Sequence, residues 1–285
     1  MDWPRALIVE LAARRCAVFL GAGGSAGCVS ADGASRLPTW KQLLSALRSR
    51  FQKSADALLL DELFEKDRYL DIAEVLLAGI PSADFAGFIR DSFVVPHFQP
   101  SAVHKAILTL DPKLVLTTNW DEVYDHYCQS GDARDGYHVC RYYEDQIVST
   151  LRSPVRAVVK AHGCVTKPSH IVLSRSQYFH ARQGHPLFYR ILDSVFLTNT
   201  LFFVGYSLTD PDIQLILENA SIAAPSSHPH YAVLPRGTHP ALVEAAKAAY
   251  NIHVIEYPAG DHAAVDTGLA ELALAVENYR ESYSA

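Results

Sequence analysis

The residues of this chain whose types and spacing could do chemistry fall in short segments, each placed just after an apolar run. Gly21 to Gly27 (GAGGSAG) follows Cys16 to Leu20. Glycines there let a backbone approach a pyrophosphate, and exposed amides bind anionic oxygens. Gly21, Gly23 and Ala26 fit the relaxed dinucleotide fingerprint. A dehydrogenase also places an acid about 20 residues further on for the ribose, and Leu37 to Lys53 contains none. A tight strand-to-helix turn would use the same glycines.

Thr117 to Asp121 (TTNWD) follows the run LVL. Polar groups there could hold a ribose or a water, and Asn119 offers both a donor and an acceptor; a helix N-cap would also suit Thr and Asn. His162, with Gly163, follows AVVK, and histidine is the side chain best suited to move a proton near neutral pH. Gly205, Tyr206 and Ser207 follow LFFV, a placement suited to a nucleotide. Asp210 with Pro211 reads as a helix N-cap and first helical residue.

Stepping outward, these residues need strands that end beside one another. Cys16–Leu20, Leu114–Leu116, Ala157–Lys160, Leu201–Val204, Tyr231–Leu234 and His253–Glu256 read as short buried strands. Leu7–Arg15, a helix capped by the Thr39–Gln42 box, Ala57–Glu65, Asp71–Ala78, Ala83–Phe93 and Ala102–Leu110 have helical spacing. So do Pro186–Phe196, Ile213–Ala220, Pro240–Tyr250 and Ala264–Tyr279. This alternation predicts an α/β fold: a Rossmann-like, doubly wound, mostly parallel sheet. It also predicts one domain over 1–285, with a helical insertion over about 39–110. In such sheets ligands bind beyond the carboxyl ends of the strands, where all these segments stand.

Composition narrows the classes. The chain has 285 residues, 49% hydrophobic and 20% charged, with a formal net charge of −6. That is a globular composition, without an electrostatic footprint for direct nucleic-acid binding. No apolar run approaches the ~18 residues of a membrane span, and Glu10, Arg14 and Arg15 interrupt the only apolar stretch a signal peptide could use. A cytoplasmic protein is expected. Cys16, Cys28, Cys128, Cys140 and Cys164 form no C-x-x-C pair, so neither a zinc ribbon nor a disulfide framework is expected.

Taken in order, GAGGS at 21–25, LPTW at 37–40, TTNWD at 117–121, AHG at 161–163, LSRSQY at 173–178 and VGYSLTDPDI at 204–213 resemble the sirtuin superfamily. The resemblance is to its bacterial SIR2-like branch, which lacks the zinc module, and it runs over nearly the whole chain. It implies NAD as substrate, with no metal. Gly21, Ala22, Gly23, Gly24, Ser25, Thr118, Gly205 and Ser207 would bind the dinucleotide. Asn119, Asp121 and His162 would be catalytic: Asn119 orienting water or ribose hydroxyls, Asp121 holding the ribose and stabilising positive charge, His162 acting as base. The implied reaction is cleavage of the nicotinamide–ribose bond to nicotinamide and ADP-ribose, as in antiphage effectors that deplete NAD when infection is sensed. A homo-oligomer, or a separate sensor protein of the same system, would switch such an effector on.

Three other readings use the same residues. An NAD-dependent protein deacylase would keep the fold but normally carries paired cysteines. A serine hydrolase would use Gly23-x-Ser25-x-Gly27 as a nucleophile elbow, although only one strand precedes it. A non-catalytic NAD or ADP-ribose sensor would need the glycines alone.

Overall fold

A computed structural model describes residues 1–51, 56–130, 136–208, 210–224, 226–237 and 239–284. In chain order the elements are α1 (Arg5–Ala12), β1 (Cys16–Leu20), a single turn α2 (Ala22–Ser25), α3 (Trp40–Phe51), α4 (Ala57–Glu65), α5 (Tyr69–Leu77), α6 (Ser82–Phe93) and α7 (Ala102–Leu110). Then come β2 (Leu114–Thr117), α8 (Val123–Gln129), β3 (Tyr137–Arg141), α9 (Ile147–Arg152), β4 (Arg156–Lys160), α10 (Arg175–Gly184) and α11 (Pro186–Thr198). The remainder is β5 (Thr200–Val204), α12 (Pro211–Ala223), β6 (His230–Pro235), α13 (Pro240–Tyr250), β7 (Ile252–Tyr257) and α14 (His262–Ser284).

The strands form one seven-stranded sheet in the order β3-β4-β2-β1-β5-β6-β7, and each pairing is parallel. Strand pleating sends Ala17 and Phe19 of β1 to one face, where they pack with Phe203, Leu116 and Val159 under α10, α11 and α12. Cys16, Val18 and Leu20 face the other way, with Phe202 and Val115 under α1, α7 and α14. A sheet buried on both faces needs such continuous apolar strands. Burying each of Phe19, Phe202 and Phe203 contributes roughly 1.5–3 kcal/mol, and all three are fully buried.

The prediction was right about the sheet and short by one strand. β3 carries exposed His138 and half-exposed Val139 and Arg141, so an edge position gave it too little apolar pattern to read. Helices α8, α9 and α10 were likewise not foreseen.

A separate apolar cluster joins Leu43, Leu44 and Leu47 of α3 to Leu60, Ile72, Leu76, Phe85, Phe88 and Ile89 of α4 to α6. Cys164, Val165, Ile171 and Leu173 enter the same cluster. These four belong to the segment that leaves β4, so the small helical module is packed directly on the chain that carries His162.

Strand order reverses at β1, which has β2 on one side and β5 on the other. That switch point is where a doubly wound sheet opens a crevice for a ligand. The chain leaves β1 there at Gly21.

Candidate functional site

The glycine turn is built by the strand it faces. Gly21 N–H donates to Val204 O at 2.9 Å and Gly23 N–H to Gly205 O at 2.8 Å, so the loops after β1 and β5 run in contact. Ala22 and Gly23 form the exposed crest, while Gly21, Gly24 and Ser25 are buried beneath it. Gly205 has φ +64°, the left-handed region.

Asn119 reaches into this turn from the end of β2. Its Nδ2 lies 3.0 Å from Gly21 O and 3.0 Å from Ser25 Oγ. A carbonyl oxygen can only accept, so the atom facing Gly21 O must be the amide nitrogen. Both amide hydrogens are then engaged, and Oδ1 is the polar atom Asn119 has left to present. Asn119 does not cap a helix. Asp121 receives Val123 N–H on Oδ1 at 3.1 Å as α8 begins.

The same accounting orders the protons behind the turn. Ser25 Oγ donates to Asp121 Oδ2 at 3.2 Å, because the carboxylate only accepts. Having spent its hydrogen, Ser25 can only accept from His104 Nε2, 3.4 Å away. His104 therefore carries a proton on Nε2, and Nδ1 faces the Cys28 thiol at 3.6 Å. Complete burial pulls the His104 pKa down to about 4, which leaves the imidazole neutral. Burial also pushes the Cys28 thiol up to about 12.

This network excludes the nucleophile-elbow reading. A serine nucleophile hands its proton to an imidazole, whereas Ser25 gives its own to a carboxylate and receives one from the imidazole. Its two lone pairs and one hydrogen are all used inside the protein. Sequence alone missed His104. The available signal was Ser101, which caps α7 by accepting from His104 N–H at 3.3 Å and donates to Gly24 O at 2.8 Å.

Thr117 Oγ1 donates to Leu20 O at 2.7 Å and accepts Asn119 N–H at 3.0 Å. Thr118 is half-buried beside it. The segment is further held to the chain leaving β4: Ala161 N–H donates to Thr117 O at 2.8 Å and Val165 N–H to Trp120 O at 3.0 Å. Asn119 and His162 lie between these two bonds, on parallel segments. Their side chains then part. Asn119 turns toward Gly21 and Ser25, and His162 toward the loop after β5, where Nε2 stands 3.6 Å from Asp210 Oδ2. The glycine turn and the loop after β5, which the two side chains reach, are themselves joined by the Gly23–Gly205 hydrogen bond. Gly163 has φ +88°, and a side chain there would run into His170 O.

Lys160 is the second residue missed, ending the apolar run AVVK. It is fully buried, with Nζ bonded to Asp121 O and to Asp125 Oδ2 at 3.0 Å. Burial by itself pulls the ammonium down, but the Asp125 carboxylate, Cys164 and Asp121 outweigh it, and Lys160 is raised. One charged side chain thus fixes the segment bearing Asn119 and Asp121 to the strand that leads into His162. Glu122, Asp125 and Cys164 hold ligand-type atoms within 4.8 Å of one another. Lys160 and Arg141 already neutralise these acids, Arg141 lying 3.5 Å from Glu122. Ser207 is exposed at the crevice rim.

Asp210 has the capping role expected of it: Oδ1 accepts Ile213 N–H at 3.1 Å as α12 begins. Tyr178 OH donates to Oδ2 at 2.6 Å. The second oxygen therefore has a task that the capping pattern did not announce.

Comparison with known proteins adds a family match and three relatives. Residues 113–255 match the model of the SIR2-like domain, a span holding Asn119, Asp121, His162, Gly205 and Ser207. The chain is 28% identical over 157 residues to the defense-associated sirtuin 2 of Bacillus subtilis, covering 54% of this chain and 15% of that one. It is 26% identical over 207 residues to the NAD(+) hydrolase ThsA of Cytobacillus dafuensis (72% of this chain, 38% of that one). With ThsA of Acinetobacter baumannii it shares 23% identity over 227 residues (76% and 41%). The chain spans less than half the length of these curated relatives.

Proposed function

The chain belongs to the SIR2-like domain family, and on that premise we propose that it hydrolyses NAD at the nicotinamide–ribose bond. One observation carries the reading. Asn119 and His162 stand on parallel segments beyond adjacent strands, between the Ala161–Thr117 and Val165–Trp120 hydrogen bonds, beside the glycine turn at the switch point. The ThsA relatives bear the name NAD(+) hydrolase, which supports the substrate.

Gly21 to Gly24, with Gly205, give a backbone surface close enough for a pyrophosphate, and Ala22 and Gly23 present its crest. Thr118 and Ser207 add polar atoms along the rim. Cleavage expels neutral nicotinamide from a cationic precursor and leaves an oxocarbenium-like ribose. The protein must then place one hydroxyl or water and remove one proton. Asn119 offers Oδ1 as the acceptor that aligns that O–H group. Asp121, buried and two hydrogen bonds behind Asn119 through Ser25, supplies negative charge near the developing cation. His162 takes the proton.

The setting we propose is NAD depletion in antiphage defence, as the name of the Bacillus relative suggests. A homo-oligomer, or a sensor protein of the same system, would be the activator. In the described residues no helix is long and apolar enough to cross a membrane, in keeping with the cytoplasmic location proposed.

The test is nicotinamide release from NAD by the purified chain, alone and with the products of neighbouring genes. Release by the wild type and its loss in Asn119→Ala and His162→Ala, both still folded, is the expected result. Equal turnover in both variants would remove the assignment. Release that depends strictly on an acylated peptide would mean a deacylase instead, and tight NAD binding without product under every activating condition would mean a sensor.

A further inference from the structure

Asp210 belongs to the loop after β5, yet its carboxylate is within reach of a histidine from the far side of the site. β4 and β5 are separated in the sheet by β2 and β1, three strand spacings or about 14 Å. The two loops close that gap above the strands, and Asp210 meets His162 Nε2 at 3.6 Å. The Asp210 side chain is 9% exposed and that of His162 5%, so water screens the pair little.

We propose that Asp210 is the positioning residue for His162: it holds the proton on Nε2 and leaves Nδ1 as the nitrogen that accepts a proton from the reacting hydroxyl. The inference rests on the NAD-hydrolase reading for the second half of that statement and on geometry alone for the first.

Two hydrogen bonds fix the carboxylate. Oδ1 is tied to the first turn of α12 through Ile213 N–H. Oδ2 is tied to α10 through the Tyr178 hydroxyl at 2.6 Å. Tyr178 also stands edge-on to the His162 ring, with centroids 4.9 Å apart at 73°. The ring is thus packed on one side and faced by a carboxylate at Nε2. An ionised carboxylate offers only lone pairs, so the neutral ring lowers its energy by turning an N–H toward it. When the ring takes up a second proton on Nδ1, the same carboxylate stabilises the imidazolium. This is the logic by which a buried acid orients a catalytic histidine without itself being protonated.

The arrangement has a further consequence for substrate coupling. Gly205, five residues before Asp210, accepts the Gly23 N–H. One short loop therefore touches the glycine turn at one end and the proposed base at the other. A dinucleotide that seats on the turn would press on the same loop that aims His162.

Asp210→Asn is the informative variant, because Asn caps a helix as well as Asp does and the α12 contact is kept. Tyr178→Phe removes only the hydroxyl on Oδ2. Two measurements decide. The first is the ¹⁵N chemical shifts of the His162 ring, assigned by difference with His162→Gln. The expected result is an Nε2–H tautomer in the wild type and loss of that preference in Asp210→Asn. The second is steady-state nicotinamide release, for which kcat should fall between about tenfold and 10⁴-fold, the upper figure being the cost of the corresponding change in a serine-protease triad. KM for NAD and the melting temperature should stay as in the wild type. Tyr178→Phe should lower kcat less, and it serves as the test should Asp210→Asn not fold. An Nδ1–H tautomer in the wild type, or an Asp210→Asn enzyme with wild-type kcat, would overturn the proposal. A lower melting temperature with kcat unchanged would mean a structural cap only, and would also overturn it. If the wild type releases no nicotinamide at all, the hydrolase reading fails, and the ring shifts still decide whether Asp210 sets the tautomer.

Discussion

Gly205 lies backbone against backbone on Gly23: a Cβ placed on Gly205 would come within 2.7 Å of the Gly23 carbonyl carbon and run into the Gly24 amide nitrogen. The glycine turn and the β5 loop are thus one construction, held together by the absence of a side chain.

Gly205→Ala should therefore cost more than the ~1–3 kcal/mol of a left-handed non-glycine residue, because backbone must also move. Denaturant unfolding should show that loss, and calorimetry should show NAD binding abolished. Gly87→Ala is the matched control. Gly87 is in α6 with nothing near its would-be Cβ, so the change should stabilise by roughly 0.5–1 kcal/mol. If Gly205→Ala binds NAD like the wild type, the turn is not the dinucleotide seat.

Ser25→Ala would leave Asp121 Oδ2 without its donor, and an amide hydrogen of Asn119 and the Nε2–H of His104 without an acceptor. A loss of about 1–3 kcal/mol is expected from each buried group left unsatisfied, together with loss of nicotinamide release. A fluorophosphonate probe should leave Ser25 unlabelled in the wild type, since the hydroxyl proton is held by a carboxylate; labelling would restore the serine-hydrolase reading.

Acid should loosen the fold through two histidines, His104 fully buried and His230 partly so. Burial lowers both His104 and His230 from 6.5 to about 4, so the unfolded chain takes up protons first. Stability that is complete above pH 6.5 is then lost as pH falls toward 4, by up to about 3 kcal/mol per histidine. His230→Asn keeps an acceptor for the Leu201 N–H that His230 Nδ1 receives at 3.1 Å. Urea melts at pH 7 and pH 4.5 should show a smaller acid loss in that variant; an identical loss would mean His230 is not held neutral by the fold.

Lys160→Met should destabilise by about 3–5 kcal/mol, the cost of leaving a buried partner charge alone, here Asp125. Adding Asp125→Leu should recover much of the stability and little of the activity, because the Asp121 carbonyl still lacks its donor. Recovery of both in the double variant would make the pair structural only.

Much of this was open to sequence reasoning, for a physical reason. Buried parallel strands need unbroken apolar runs, so CAVFL, AVVK and LFFV announced themselves, and the residues at their ends followed. The places of Asn119, Asp121, His162 and Gly205 just beyond strand ends were legible. What stayed hidden depended on partners distant in sequence. His104 looked like one polar residue on an apolar helix face, because Ser25 lies 79 residues away. Lys160 ended an apolar strand with no sign that Asp125 would meet it. Asp210 read as a cap, which it is, and nothing local marked its other oxygen for His162. α10 could have been found: Ser174 and Gln177 form a full capping box, written in the same LSRSQY segment that was read only as a motif.

The locked amide of Asn119 would make the proposed NAD site choosy about sugars. With its hydrogens held by Gly21 O and Ser25 Oγ, it greets an incoming ring with a lone pair and nothing else. On the NAD-hydrolase reading proposed above, a deoxygenated analogue would bring no hydrogen to that lone pair, so the held amide would favour ribose over deoxyribose before any nucleotide arrives.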